Sequence, residues 1–266
     1  MNITFNMHDR YITLHLKTFS NFNDQTKLTA MKILLFSILT LLFAGCINSK
    51  TGSGNIISKT MSVGNFIAIS AAGDVHVIFQ NGLQRSVVVE TDDNIMPYVE
   101  TETEGNTLKI RLKKINNLRN CTINVNVTSP NVTKFSSSAS AEIISKSVIT
   151  SSGKLELRAS SGSKIDLLVN SPSVDVEASS GGNVITAGRT KDVLASASSG
   201  SNLNTSALRA ENADARASSG ASVKVYASIS VQAEASSGGT VKYTGGAEKV
   251  KKNESSGGSV VPYPQK

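Results

Sequence analysis

Side chains able to perform acid–base or metal chemistry are few in this sequence of 266 residues. Beyond residue 45, His76 is the single histidine, and no second histidine or cysteine cluster stands at a metal-ligand spacing from it. His76 alternates with Val75 and Val77, so we expect it to face solvent. Nucleophile-elbow, phosphate-loop, dinucleotide-binding and EF-hand motifs do not occur. The sequence therefore predicts no catalytic residue, no metal site and no cofactor, and a protein that is not an enzyme.

The acidic residues leave one enzymatic alternative open, because polysaccharide lyases and hydrolases also use repetitive β folds. Glu100, Glu102 and Glu104 alternate on one predicted strand, whereas the acids further along the chain are scattered. Tyr226 and Tyr243 are the only aromatic residues between positions 136 and 262. Acids clustered with these tyrosines in one groove would favour an enzyme acting on polysaccharide. A broad exposed patch of one chemistry would favour a binding protein.

One strand is predicted to carry a positive face. Lys109, Arg111 and Lys113 alternate with apolar residues, so all three side chains point away from the core. The simplest interpretation is a solvated face that discourages pairing of sheet edges. The alternative is a contact for the anionic groups of glycans or lipids, and these three residues are our candidate ligand contacts. The net charge is only +7 and no Lys/Arg-rich run occurs, so we expect no nucleic-acid partner.

Cys46 is a candidate site of lipid attachment. Met31-Lys32 precedes a mostly apolar run at 33–43, and Ala44-Gly45-Cys46 follows. This order is typical of a signal peptide, and the apolar run is shorter than the roughly 20 residues that span a membrane. The ending resembles a bacterial lipobox, although Phe43 replaces the usual leucine. We therefore predict a lipoprotein signal peptide at 31–45 and a membrane anchor through acylated Cys46. The expected location is the outer membrane of a bacterial envelope, on either side.

The remaining cysteine and the residues before the signal peptide add little chemistry. If Cys46 is acylated, Cys121 is a lone thiol, and its place in an alternating run predicts a small buried hydrophobe. Residues 1–30 show no clear hydrophobic period. We interpret them as an upstream extension that is either untranslated or disordered.

A short motif recurs along the C-terminal half at intervals of 18 to 20 residues. Its copies end at Gly162, Gly181, Gly200, Gly220, Gly238 and Gly257, each preceded by two serines, and a degenerate copy stands at Ser138-Ala139-Ser140-Ala141. Such a period indicates stacked structural units. Nineteen residues are too few for a propeller blade or a βαβ unit but suit one turn of a β-helix. The prediction is an all-β, right-handed type of single-stranded β-solenoid with coils of about 19 residues.

Alternation within each unit predicts strand–turn–strand–turn and assigns side chains to faces. If Val193, Ala195 and Ala197 point inward, continued alternation places Ser199 inside and Ser198 outside. We therefore expect the second serine of each copy to stack in an interior hydroxyl column, and the glycines to occupy a corner that requires positive φ or close approach. The outward serines end coils and lack the flat threonine ladder of an ice-binding surface.

The region from Thr51 to Phe135 alternates less regularly and is predicted to be an irregular β part that merges with the coils. A resemblance to a known family is carried by Ser53-Gly54-Asn55-Ile56, Phe66 to Ile69 with Gly73 to Val77, Val87 to Glu90 with Asp93-Asn94-Ile95, Leu108-Lys109-Ile110 and the Ala-Ser-Ser-Gly coils. Over roughly residues 52–258 the chain is similar to the putative auto-transporter adhesin, head GIN domain family. The resemblance implies an exported β-helical protein, common as a lipoprotein in Bacteroidetes-like bacteria, without catalytic residues.

These observations divide the chain into a linker at 46–54, a β-solenoid domain at 55–258 and a tail at 259–266 that covers the last open edge. The expected function is binding by a lipid-anchored envelope protein, as an adhesin or surface interaction module. Glycan or envelope components are the expected partners, and the oligomeric state stays open. The alternatives are an envelope scaffold without a dedicated ligand and, less favoured, an enzyme acting on polysaccharide.

Overall fold

The computed structural model describes residues 4–7, 10–13, 49–113 and 117–264. Contacts divide the chain into two units, Met1–Ile47 and Asn48–Lys266. In the first unit β1 (Thr4–Met7) pairs antiparallel with β2 (Arg10–Thr13). The predicted signal peptide and Cys46 lie outside the described residues. Within the described part, no helix has the length and apolar character needed to cross a membrane.

The described residues of the second unit form strands and turns, with one 3₁₀ turn at Met96–Tyr98. Its strands are β3 (Ser49–Thr51), β4 (Ile56–Thr60), β5 (Ala68–Ala72), β6 (His76–Asn81), β7 (Ser86–Asp92), β8 (Val99–Glu104), β9 (Thr107–Leu112), β10 (Asn117–Arg119), β11 (Asn124–Ser129), β12 (Lys134–Ser138), β13 (Glu142–Ser145), β14 (Ile149–Thr150), β15 (Lys154–Ala159), β16 (Lys164–Ala178), β17 (Asn183–Ala197), β18 (Asn202–Arg209), β19 (Asn212–Ala217), β20 (Ser222–Tyr226), β21 (Ser230–Ala235), β22 (Thr240–Thr244), β23 (Lys249–Glu254) and β24 (Ser259–Pro262). The predicted all-β solenoid is confirmed, with about seven turns.

Each regular coil contributes to two parallel ladders of strands. Ladder 1 contains β13, the first halves of β16 and β17, β18, β20, β22 and β24, and ladder 2 contains β12, β15, the second halves of β16 and β17, β19, β21 and β23. Ile165 and Val169 of ladder 1 and Val174 and Val176 of ladder 2 are fully buried in one core. The 19-residue period therefore keeps like positions in register, so each core side chain stacks on its counterparts in neighbouring coils.

Every Ser-Ser-Gly copy forms a tight turn that takes the chain from ladder 2 to ladder 1. In one copy Ser161 and Gly162 both have positive φ, at 53° and 72°, and the Ser163 amide donates to the Ser160 carbonyl at 3.2 Å. Two successive left-handed residues define a type I′ turn, which glycine tolerates at its second central position. The turns also bond to one another, because the Gly162 amide donates to the Ser180 carbonyl of the next coil at 3.1 Å. The predicted corner column of positive-φ glycines is confirmed.

The predicted interior column of second serines is wrong. Ser161 and Ser199 are exposed, and the buried side chains come two residues later, at Ser163 and Ser201. Alternation assumes extended backbone, and the two left-handed residues of the turn interrupt it. The hydroxyl of Ser163 donates to the Ser137 carbonyl at 2.7 Å, so an interior hydroxyl does join neighbouring coils at this displaced position.

The irregular N-terminal part extends both ladders. β6 continues ladder 1 and pairs with β11, and β5 continues ladder 2 and pairs with β9. The outermost pairs, β4 with β7 and β8 with β9, are antiparallel and end the two ladders. Phe66, Phe79 and Phe135 are the largest fully buried side chains here. β3 lies within the predicted linker and pairs with β10.

The C-terminal tail was expected only to cover the last open edge, but it adds a strand of its own. β24 pairs in parallel with β22, with Val260 opposite Val241 and Pro262 opposite Tyr243. Pro262 is tolerated because it stands at the end of the last strand, where a missing amide breaks no further pairing. The solenoid therefore extends past residue 258.

Two buried threonines provide a matched test of this core. Thr186 and Thr205 are both fully buried, but only the Thr205 hydroxyl has a partner, the Lys224 carbonyl at 3.0 Å. Replacing Thr186 by valine should raise the free energy of unfolding by about 1 kcal/mol, because it removes an unsatisfied buried hydroxyl at constant shape. Thr205→Val should lower it by about 1 kcal/mol. Urea denaturation of the two variants measures both changes, and equal effects would contradict the hydrogen-bond assignment.

Candidate functional site

A long open groove of about 800 Å³ runs along ladder 2 beside the Ser-Ser-Gly turns. The outer wall consists of the outward residue near the end of each ladder-2 strand. The floor consists of the small residue that follows it. The inner wall consists of the first residue of each turn. The outer wall contains Ser136, Arg158, Glu177, Ser196, Arg216, Glu234 and Asn253; the floor contains Ser137, Ala159, Ala178, Ala197, Ala217 and Ala235; the inner wall contains Ser138, Ser160, Ser179, Ser198, Ser218, Ser236 and Ser255. We call this feature the serine groove.

The geometry of the serine groove follows from the repeat. Residues of the outer wall are register partners from strand to strand, as for Arg158 with Glu177 and Ser196 with Arg216. Seven strands contribute to the groove, and strands lie about 4.8 Å apart, so it is roughly 29 Å long. At each step a coil presents an alanine or serine on the floor and a serine on the inner wall, whereas the outer-wall residue varies. The groove therefore matches an extended ligand more closely than a compact one.

The inner wall offers hydroxyl groups that the protein does not use. Within the described part of the chain, the inner-wall serine hydroxyls, among them those of Ser160, Ser198 and Ser236, make no side-chain hydrogen bond. A hydroxyl can donate one hydrogen bond and accept two. The inner wall is thus a row of available donors and acceptors at the strand spacing.

The charges of the outer wall neutralise one another. Arg158 forms ion pairs with Glu177 and with Glu156, and Arg216 lies 2.8 Å from Asp214 and 3.6 Å from Glu234. These pairs are partly exposed and contribute little to stability. They leave the serine groove polar but without net attraction for an ion of either sign.

The predicted anionic-ligand contact residues lie elsewhere, on β9 and directly after it, and each is paired with an acid of β8. Arg111 contacts Glu100 and Glu102, Lys113 lies 2.9 Å from Glu100, and Lys109 contacts Glu104. The Arg111 guanidinium and then the Lys113 ammonium hold the pKa of the Glu100 carboxyl below its usual range. The face is therefore a mixed-charge ladder. Anion binding by Lys109, Arg111 and Lys113 stays a prediction and would have to displace these partners.

His76 is half-exposed on β6, as predicted, and its Nδ1 lies 2.9 Å from the Glu142 carboxylate. Lys164 contacts the same carboxylate at 2.8 Å. The Lys164 ammonium, with a smaller contribution from His76, lowers the pKa of Glu142. These three outward residues form a chain of contacts across neighbouring strands, which requires no ligand to explain it.

The Glu142 contacts predict a pH-dependent contribution to stability. Because the folded-state pKa of Glu142 is lowered, its contribution is present above the unfolded value and is lost as pH falls through the folded value. Glu142→Gln should lower the free energy of unfolding by about 0.5 kcal/mol near pH 7. The difference from the parent chain should shrink below pH 4.5, the ordinary value for this carboxyl. Urea melts at pH 7 and pH 3.5 test this, and a difference that grows on acidification would contradict it.

The residues that would favour an enzyme are not brought together in the serine groove. Tyr226 and Tyr243 do not line it. Tyr243 packs partly against the core, and Tyr226 lies at the opposite corner of the coil. Within the described residues, no group of three or more histidine, cysteine or acidic residues could hold a metal ion. Cys121 is half-buried, and burial raises the pKa of its thiol.

The sequence singled out the outward serines but not the groove that they line. Alternation correctly placed Ser198 outside, and the repeat indicated that its equivalents share a column. The sequence did not indicate the outer wall, because its residues, such as Arg158, Glu177 and Ser196, share no residue type. Their alignment becomes visible only in the register of ladder 2.

Fold and groove together define the class, a β-solenoid with an open longitudinal groove on one ladder. A family model described as putative auto-transporter adhesin, head GIN domain, matches residues 65–247. The chain belongs to this family, as the sequence resemblance predicted. No curated protein sequence matches the chain significantly.

Solved structures share the fold at low sequence identity. A putative adhesin from Bacteroides fragilis NCTC 9343 has a TM-score of 0.73 at 17% identity, covering 80% of this chain and 100% of that one. A putative lipid binding protein from Parabacteroides distasonis ATCC 8503 has a TM-score of 0.64 at 18% identity, covering 81% and 100%. A putative adhesin from Parabacteroides merdae ATCC 43184 has a TM-score of 0.62 at 15% identity, covering 82% and 100%. These likenesses support the solenoid fold, and the adhesin-type family suggests a cell-surface or envelope protein.

Proposed function

We propose that this protein is a lipid-anchored envelope protein that binds an extended, mostly neutral ligand along the serine groove, in adhesion or surface interaction. It acts by binding and not by catalysis. The adhesin-type family supports the general role. The observation that carries the proposal is the row of unengaged serine hydroxyls along a groove of seven strands. A glycan fits this description, because its hydroxyl groups recur along an extended chain.

The physical argument rests on repetition. Single hydroxyl contacts exchange with water and contribute little net free energy, on the order of 1 kcal/mol each. Several equivalent contacts along a preformed groove add together without a cost for ordering the protein. The floor alanines, such as Ala178 and Ala197, keep the groove open because they carry no bulk. A ligand with a matching repeat can therefore bind in a site that lacks aromatic platforms.

A groove-filling variant tests this proposal against the scaffold alternative. Ser196 stands in the middle of the outer wall, and Ser222 is an outward, half-buried serine on ladder 1. Purified full-length chain carrying Ser196→Trp should lose retention on immobilised envelope polysaccharide, whereas Ser222→Trp should keep it. Equal retention by both variants and the parent chain would contradict groove binding, and no retention by any of them would favour a scaffold. Cleavage of the polysaccharide would contradict a non-enzymatic role.

The lipid anchor is a separate part of the proposal. The order Lys32, apolar run, Ala44-Gly45-Cys46 supports cleavage after Gly45 and acylation of Cys46. Attachment to the outer membrane then restricts the groove to ligands near the envelope. Mass spectrometry of the native N-terminus should find a diacyl or triacyl cysteine at position 46. An unmodified Cys46 still preceded by residues 31–45 would contradict the anchor.

A further inference from the structure

A second concavity lies at the corner of the coils opposite the Ser-Ser-Gly turns, where ladder 1 passes into ladder 2. It has a volume of about 550 Å³. Arg189, Lys191 and Arg209 line it, together with Tyr226 and the single acid Glu211. We call this feature the basic corner. Its lining comes from four successive coils, and it lies at the other end of the ladder-2 strands from the serine groove.

The charge arrangement at the basic corner departs from that of the other outward columns described above. Arg158 and Arg216 of the serine groove, and Arg111 of the N-terminal part, each have acidic partners within ion-pair distance. Arg189 and Arg209, in contrast, are direct register partners on β17 and β18, and both are exposed. Within the described residues neither has an acid within 4 Å. Like charges directly opposite one another destabilise a sheet, so stability alone does not account for this pair.

Arg209 is held in place by an aromatic ring. Its guanidinium carbon lies 4.4 Å from the centroid of the Tyr226 ring, within the range of a cation–π contact. The Thr190 and Ser171 hydroxyls nearby are already engaged, since Thr190 donates to the Asp192 carbonyl at 3.0 Å and Ser171 donates to the Gly153 carbonyl at 2.6 Å. The unengaged donors that line the concavity therefore include those of the cations, with the Asn170 amide and the Tyr226 hydroxyl beside them.

A group that accepts several hydrogen bonds and carries negative charge satisfies this arrangement. Guanidinium groups match the oxygens of phosphate and sulfate in geometry as well as in charge. Register pairing puts Arg189 and Arg209 on adjacent strands, about 4.8 Å apart along the stack, so one tetrahedral oxyanion can accept from both. Tyr226 adds a flat apolar surface beside the charged group, against which a sugar ring can pack. The Glu211 carboxylate repels anions and lowers the net positive charge of the corner. Charge alone therefore does not suffice to hold an anion there.

We propose that the basic corner binds a sulfate or phosphate ester carried by a sugar. The ester contacts Arg189, Arg209 and Lys191, and the sugar packs beside Tyr226. This site is independent of the serine groove, and its existence does not rest on the function proposed for that groove. Occupancy by the ester relieves the repulsion between the two arginines.

The test compares a sulfated polymer with its uncharged parent. Full-length chain should bind dextran sulfate in titration calorimetry and show no binding to unmodified dextran at the same concentration. The double variant Arg189→Gln/Arg209→Gln should bind dextran sulfate at least tenfold more weakly. A control of equal charge loss, Arg85→Gln/Lys146→Gln, should bind within twofold of the parent chain.

Melting temperatures supply a second readout that does not depend on retention. Without ligand, the single variant Arg189→Gln should melt at or above the parent temperature, because it removes the like-charge pair and keeps the contact between Arg209 and Tyr226. Dextran sulfate should raise the melting temperature of the parent chain and not that of the double variant. Equal weakening by the control variant would show nonspecific attraction and overturn the proposal. Binding of phosphatidylglycerol vesicles that requires the two arginines, without binding of dextran sulfate, would overturn it in favour of a membrane surface.

Discussion

Replacing Gly188 by alanine should lower the free energy of unfolding by about 3–5 kcal/mol, through backbone strain and overpacking together. Gly188 has a φ of 123°, a region that side-chain-bearing residues rarely adopt. It is the register partner of Val169 in the neighbouring coil, and a Cβ at this position would lie 1.9 Å from the Val169 carbonyl oxygen. Backbone cannot move aside as a flexible side chain can. The coils on both sides would have to separate locally.

Gly200→Ala is the matched control for this change. Gly200 also has a positive φ, 67°, but a Cβ there meets no atom within 4 Å. Gly200→Ala should therefore lower the free energy of unfolding only by the strain of a left-handed alanine, about 1–2 kcal/mol. Denaturant melts of both variants measure the two costs. Similar losses for Gly188→Ala and Gly200→Ala would mean that the coils do not approach each other as closely as the structure describes.

Truncating Phe135 to alanine should lower the free energy of unfolding by about 3–5 kcal/mol. Phe135 is fully buried on β12, and its ring meets that of Phe79 on β6 edge-on, with centroids 5.1 Å apart. The contact joins ladder 2 to ladder 1 where the irregular part meets the regular coils. Most of the remaining core consists of valine, alanine and leucine, which cannot expand to fill the resulting cavity.

Leu83→Ala provides the comparison for a large apolar residue outside the core. Leu83 is 97% exposed, so its truncation should change the free energy of unfolding by less than about 0.5 kcal/mol. Thermal and urea melts of both variants should agree on this ranking. A small loss at Phe135 would show that the two ladders are held together mainly elsewhere.

The regular coils could be predicted from the sequence because their signals are local and repeated. Alternation identified inward residues such as Val193 and Ala195, and the spacing of Gly162, Gly181 and their equivalents set the coil length. The serine register could not be predicted by alternation alone, because the type I′ turn interrupts the extended backbone. A pattern of Ser-Gly at a fixed position, interpreted as two left-handed residues, would have placed Ser163 and Ser201 inside.

The pairing of the β9 cations with the acids of β8 could have been predicted from the sequence. Glu100 and Glu102 alternate as Lys109 and Arg111 do, and Gly105-Asn106 between them is a hairpin turn signal. Folding that hairpin puts Glu100 opposite Arg111 and Glu102 opposite Lys109, as observed. The basic corner could not be predicted from the sequence, because Arg189 and Arg209 are 20 positions apart and only the strand register brings them together.

Site-specific photo-crosslinking in intact cells tests the central claim, that a single extended ligand lies along the serine groove. A benzophenone side chain placed singly at Ser160, Ser198 or Ser236 of the full-length chain samples the middle of the inner wall and positions next to its two ends. The same adduct should form from all three positions, and none should form from Ser222 on the other ladder. An adduct from one position only, or equal labelling from Ser222, would contradict extended binding in the groove.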